Sequence, residues 1–128
     1  MATIKCFQDL VAWQRGMDLV AALYQVTKRF PSDERFGLRA QIRRAGVSIP
    51  SNVAEGYGRR RRDDYVRFLD IARGSANEIQ TQLLIALRLD FISAEQMQPA
   101  MELVLQEQRI LKGLVLGLEN SDKKDVKS

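Results

Sequence analysis

At 128 residues, with 45% hydrophobic and 28% charged side chains, the chain is long enough for one domain to bury a core without disulfide or metal staples. It has no histidine and one cysteine, Cys6, which excludes histidine-dependent nucleophilic triads, zinc sites of the His/Cys kind and an internal disulfide. The net charge of +4 is uneven: residues 35–73 hold ten arginines against Glu55, Asp63, Asp64 and Asp70, a local +6 that leaves −2 for the remainder.

Apolar residues recur at helical spacing in four segments. In the first, Leu10, Trp13, Met17, Val20, Tyr24 and Thr27 form a stripe that Leu23, Val26 and Phe30 broaden. Asp9 is placed to cap its start, and "FPSD" at 30–33 ends it in a turn. The second runs from about Glu34 to Glu55, with Leu38, Ile42, Ala45, Ile49, Val53 and Gly56 in phase. Gly56 and Gly58 are expected to end it at positive φ.

Asp63 and Asp64 open the third segment, where a helix dipole favours negative charge. Its stripe is Tyr65, Phe68, Leu69, Ala72, Ala76, Ile79, Leu83, Ala86 and Leu87. Ser93 with Gln96 has the capping-box pattern for the fourth, which Met97, Met101, Val104, Leu111, Val115 and Leu118 continue. Pro99 predicts an irregular or delayed first turn. Four amphipathic helices on short connections imply an all-α fold, an antiparallel up-down-up-down four-helix bundle. One domain over residues 1–120 and a frayed, aperiodic tail at 121–128 complete the organisation.

The third helix carries a second apolar face. Arg67, Ile71, Gly74, Glu78, Ile85 and Leu89 lie opposite the core stripe. A helix-interior glycine costs about 1 kcal/mol relative to alanine, and close approach of another backbone would repay it. Scattered surface apolar residues are the plainer alternative. With Leu103, Ile110 and Leu114 broadening the fourth helix, self-association with Gly74 at or near the contact is expected.

Pro50 cannot donate to the Gly46 carbonyl, so a kink or restart near Ser48–Asn52 is expected, with Ser48, Ser51 and Asn52 engaging freed backbone groups. Arg39 and Arg43 share one side of the second helix, and Arg59, Arg60, Arg61 and Arg62 form the loop after it, with Arg67 one turn on. Such a run of like charge is costly unless solvated or met by an anion, and guanidinium groups match phosphate bidentately. Tyr57 offers a ring on which a base could stack. Glu55 and Glu78 are expected to pair with arginines. No nucleotide-binding glycine loop, metal-ligand cluster or membrane-length apolar run is present. "MATIKCFQDL" lacks a secretion-signal pattern. A cytoplasmic, non-enzymatic protein without cofactor or metal is expected.

Three stretches, "FQDLVAWQRGMDLV", "FGLRAQIRRAGVSIPSNVAEGYGR" and "FLDIARGSANEIQTQL", together with "SIPSN-x-AEG" followed by "ARGS-x-x-E", resemble the four-helix-bundle proteins encoded by intervening sequences of bacterial 23S rRNA genes. Ser48, Ile49, Pro50, Ser51, Asn52, Ala54, Glu55 and Gly56 carry the first motif, and Ala72, Arg73, Gly74, Ser75 and Glu78 the second. The resemblance implies the bundle fold and no known catalytic activity. It extends to the accessory variability proteins of diversity-generating retroelements, which implies a homopentamer that binds nucleic acid and a reverse transcriptase. Pro50, Asn52, Glu55, Gly56, Gly74, Ser75 and Glu78 would then serve structure or assembly. The expectation is a homo-oligomeric RNA- or DNA-binding protein whose phosphate contacts come from Arg59–Arg62 with Arg39, Arg43 and Arg67. The alternative is an interaction scaffold that docks a partner such as a reverse transcriptase without touching nucleic acid.

Overall fold

The computed structural model describes the backbone of residues 3–127 and the side chains of residues 3–121. Four helices account for it: α1 (Val11–Thr27), α2 (Leu38–Tyr57), α3 (Arg62–Arg88) and α4 (Ala94–Lys127), with single 3₁₀ turns at Phe7–Asp9 and Ser32–Glu34. Each helix packs on its neighbours in sequence and α4 closes on α1, while no α1–α3 or α2–α4 backbone packing occurs. This is the pattern of an up-down-up-down bundle, and no strand occurs among the described residues. The α4 backbone is helical to Lys127 and so includes most of the terminal segment 121–128. Side chains from residue 122 onward lie outside the described residues.

The core stripes of α2 and α3 fall where the periodicity put them. Ile42, Ala45, Ile49 and Val53 face Leu69, Ala72, Ala76, Ile79, Leu83 and Ala86, all buried. The stripe of α1 is turned from its expected phase. Ala12, Gly16, Leu19, Leu23, Val26 and Thr27 are buried, whereas Met17 and Tyr24 are exposed. Small residues occupy the inward side because neighbouring helices come close there, and hydropathy gives alanine and glycine too little weight to show it. In α4, the stripe includes a charged residue, Glu107, three after Val104 and four before Leu111, and it is fully buried.

Helix ends differ from expectation in three places. Asp9 does not cap α1; its carboxylate accepts the Lys5 N–H at 2.9 Å, and Leu10 occupies the cap position. No glycine has positive φ, so α2 ends at Gly58 in ordinary right-handed geometry. The left-handed residue is Asp90 (φ 60°), between α3 and α4. There Phe91 N–H bonds the Ala86 carbonyl at 2.9 Å and Asp90 N–H the Leu87 carbonyl at 3.1 Å, the paired bonds of a Schellman motif. The Phe91 ring then lies 5.5 Å from that of Phe30. At α4 the expected box forms, with Gln96 N–H on Ser93 Oγ at 3.1 Å and Ser93 N–H on Gln96 Oε1 at 2.9 Å. Pro99 does not delay that helix, which begins at Ala94; it is exposed, so water can satisfy the Glu95 carbonyl it leaves free.

Pro50 lies inside an unbroken α2 rather than at a restart. Asn52 Nδ2 donates to the Ser48 carbonyl at 2.7 Å and to Ser48 Oγ at 2.9 Å, local bonds that hold the turn around the proline. Near the end of α2, Gly56 permits the close approach of α3. A Cβ there would lie 2.9 Å from Phe68 Cβ, 3.0 Å from Tyr65 Cδ1 and 3.2 Å from the Tyr65 carbonyl oxygen. Gly74, by contrast, has nothing within 4 Å of a built Cβ.

These two glycines therefore respond oppositely to the same substitution. Gly56→Ala forces α2 and α3 apart and should destabilise by about 1–3 kcal/mol. Gly74→Ala should stabilise the isolated subunit by about 0.5–1 kcal/mol, since only helix propensity changes. Urea unfolding of both variants at low protein concentration measures the pair.

Candidate nucleic-acid interface

The link between α2 and α3 displays the arginine run at one end of the bundle. Gly58 closes α2, and Arg61 takes an extended conformation (φ −92°, ψ 136°) at the cap position of α3. Arg59, Arg60 and Arg61 are exposed and Arg62 is half-buried. With Tyr65 and Leu118 they line an open cleft of about 200 Å³. Five arginines and three carboxylates between residues 55 and 67 leave a net +2 there, to which the N-terminal dipole of α3 adds positive potential. Asp63 and Asp64 in the first turn of α3 offset part of it.

The five guanidinium groups are not equivalent. Arg59 lies 3.5 Å from Glu55, with both side chains about half exposed (45% and 52%), so the pair contributes little and can be exchanged for an anion. Arg59 and Arg67 each stand 4.7 Å from the centre of the Phe68 ring. One aromatic ring thus orients two cations, at about 0.5–1 kcal/mol each for exposed sites. Arg67 also lies 4.0 Å from Asp64. The guanidinium groups of Arg60 and Arg61 make no ion pair or hydrogen bond among the described residues. They are the groups available to an incoming anion without loss of an existing contact. Tyr57 is not a free stacking surface: it meets Tyr65 edge-on at 6.2 Å and is partly buried against the core. Burial and the neighbouring Tyr57 push the Tyr65 phenol up, so it stays neutral and repels no phosphate.

Arg39 and Arg43 are not part of this surface. They sit near the start of α2, and the rise from Arg43 to Tyr57 is roughly 20 Å. Arg43 Nε donates to Thr27 Oγ1 at 2.8 Å and its Nη2 to the Tyr24 carbonyl at 3.2 Å, with the guanidinium 4.4 Å above the Tyr24 ring. Arg39 Nη2 donates to the Phe30 carbonyl at 3.1 Å. Both cations are committed to the C-terminal end of α1, where orphan carbonyls and the negative end of the dipole favour them.

The other motif residues form a polar seam on the outer side of α2 and α3. Ser48 Oγ and Ser75 Oγ are 2.9 Å apart and share a hydrogen bond, tying the helices at mid-length. A groove of about 380 Å³ beside it is lined by Gln41, Arg44, Ala45, Ser48, Ser75 and Glu78. Glu78 does not pair with an arginine; its carboxylate accepts Gln82 Nε2 at 3.4 Å. Ile71, Ile85 and Leu89 on the outward face of α3 are exposed (43%, 42% and 55%), as is Gly74. Sequence reasoning missed Phe68 as the ring that orients two arginines, and Glu107. Each sits on an apolar stripe, and the signal for Glu107 was its place between Val104 and Leu111.

The chain matches the family of 23S rRNA-intervening sequence proteins over residues 8–113, and it belongs to that family. Comparison with curated proteins returned no match. Among solved structures, a protein of unknown function from the S23 ribosomal protein family of Bacteroides thetaiotaomicron is 24% identical. The match covers 82% of this chain and 98% of that one with a TM-score of 0.76, a likeness that shows the fold. No described helix is long and apolar enough to cross a membrane.

The division between the two arginine sets can be measured. Arg43→Met should lower unfolding stability by about 1.5–3 kcal/mol, the range for hydrogen bonds involving a charged group, and leave affinity for a polyanion such as heparin unchanged.

Proposed function

We propose, with membership of that family as the premise, that this chain is a non-enzymatic nucleic-acid-binding protein that works as a homo-oligomer in the cytoplasm. One observation carries the reading: Arg60 and Arg61 present two exposed, uncommitted guanidinium groups on a cleft they share with Arg59, Arg62 and Tyr65. Guanidinium forks bind phosphate oxygens bidentately. Arg59 and Arg67, oriented by Phe68, extend the positive surface from the end of α2 to the second turn of α3. These groups are assigned here to phosphate oxygens rather than base edges, so binding follows the backbone of RNA or DNA with little dependence on sequence.

A homo-oligomer multiplies this small patch. Five copies of the Arg59–Arg62 loop in a ring would raise avidity without any new contact type, which is why the pentamer of the accessory variability proteins is the assembly we favour. The outward face of α3, with Ile71, Gly74, Ile85 and Leu89 exposed, is the surface proposed for the subunit contact. The same face supports the second reading, a scaffold that docks a protein partner such as a reverse transcriptase. No catalysis, cofactor or metal is part of the proposal. The acid whose ionisation is most disturbed, Glu107, is sealed in the core and lines neither the Arg59–Arg62 cleft nor the groove beside Ser48 and Ser75.

Two measurements test this. Fluorescence anisotropy with labelled RNA and DNA oligonucleotides across about 50–200 mM salt should show affinity falling steeply with ionic strength. Replacing Arg60 and Arg61 by glutamine should reduce the log–log salt slope by about 1.4–1.8, the contribution of two phosphate contacts. Unchanged affinity in that variant sinks the site, and no affinity in the parent protein at low salt sinks the nucleic-acid reading in favour of the scaffold. Light scattering on the eluting protein at micromolar concentration should report an oligomer, and a monomer there removes the assembly.

A further inference from the structure

Glu107 lies at the centre of the bundle with no exposed surface, and neither carboxylate oxygen has a hydrogen-bond partner. It comes from α4 and abuts α1 at Gly16, where a Cβ would stand 2.9 Å from Glu107 Oε2. Ile49 Cγ2 and Pro50 Cβ of α2 are 3.3 and 3.5 Å from that same point. An ionised carboxylate cannot be held there cheaply, because its charge has lost water and gained no donor.

We propose that Glu107 is a protonation-dependent latch: α1 and α4 close on its neutral carboxyl, and loss of the proton loosens that seam. The buried faces of α1, α2 and α3 carry no titratable side chain, so nothing within the core compensates the charge. Among the described residues Arg15 of α1 is the cation acting on it, and its guanidinium is half exposed and engaged with Asp18 at 2.8 Å. Ile49 and Pro50, the α2 residues at this point, do not titrate. Burial outweighs Arg15 and raises the carboxyl from 4.5 to about 8.

The sign follows from linkage. The folded state holds the proton more tightly than the unfolded chain, so this contribution to stability is whole below about pH 4.5 and is lost as pH rises to about 8. With no histidine in the chain, no imidazole titrates in that window. Gly16 is the matching part, because a larger residue at that position would have no room beside the carboxyl.

Urea unfolding of the full chain and of Glu107→Gln across about pH 5–9 tests the latch. The amide keeps the shape of the neutral acid and removes its titration. The ratio of parent to variant folding constants should fall by up to about tenfold per pH unit through this range; a ratio independent of pH overturns the proposal. Carbon-13 NMR of the Glu107 carboxyl in the folded parent gives a reading that does not depend on the variant folding. A midpoint near 8 supports the latch, and one in the ordinary carboxylate range near 4 overturns it.

Discussion

How closely α2 can lie against α3 governs most of what this bundle presents to its surroundings. Gly56 sets that distance at the arginine-rich end, where any side chain would meet the Tyr65 backbone and the Phe68 Cβ. Because the helices touch there, Phe68 sits under both Arg59 and Arg67, and the short link between helices projects Arg60 and Arg61 outward. A wider separation would remove the ring from beneath two cations and let the run of like charges collapse or splay. The electrostatic surface is therefore a consequence of backbone packing.

The same helix pair is held at mid-length by polar groups. Ser48 and Ser75 share a hydrogen bond, and Asn52 bonds back to Ser48 around Pro50. A single neutral hydrogen bond contributes only about 0.5–1.5 kcal/mol net, less than the burial of one large apolar side chain. What these bonds add is register: they specify which turn of α2 meets which turn of α3, a choice the hydrophobic stripe leaves open. Pro50 fits this scheme, since a helix without one internal donor is tolerated where neighbouring side chains and tight packing hold the turn.

Glu107 works in the opposite direction. A fully buried acid with both oxygens unpartnered withholds stability that leucine or methionine would supply. The absent side chain of Gly16 leaves the space that Glu107 Oε2 borders, since a Cβ there would stand 2.9 Å away. The return proposed for that lost stability is sensitivity to proton concentration.

The period of apolar residues by itself determined the helix count, the all-α class and the core stripes of α2 and α3, because burial of one face is a property each helix carries locally. Ser93 with Gln96, Asp63 with Asp64, and the clustering of arginines were local too, and so were legible. The phase of α1 was not, since Ala12 and Gly16 face inward for want of space rather than for hydropathy. Nor could charge counting separate Arg39 and Arg43, which close the end of α1, from Arg60 and Arg61, which remain uncommitted. Those assignments depend on which carbonyl or ring a folded neighbour brings within about 3–5 Å. Only the tertiary structure decides this, because hydrogen bonds and cation–ring contacts act over a few ångströms between residues far apart in the chain.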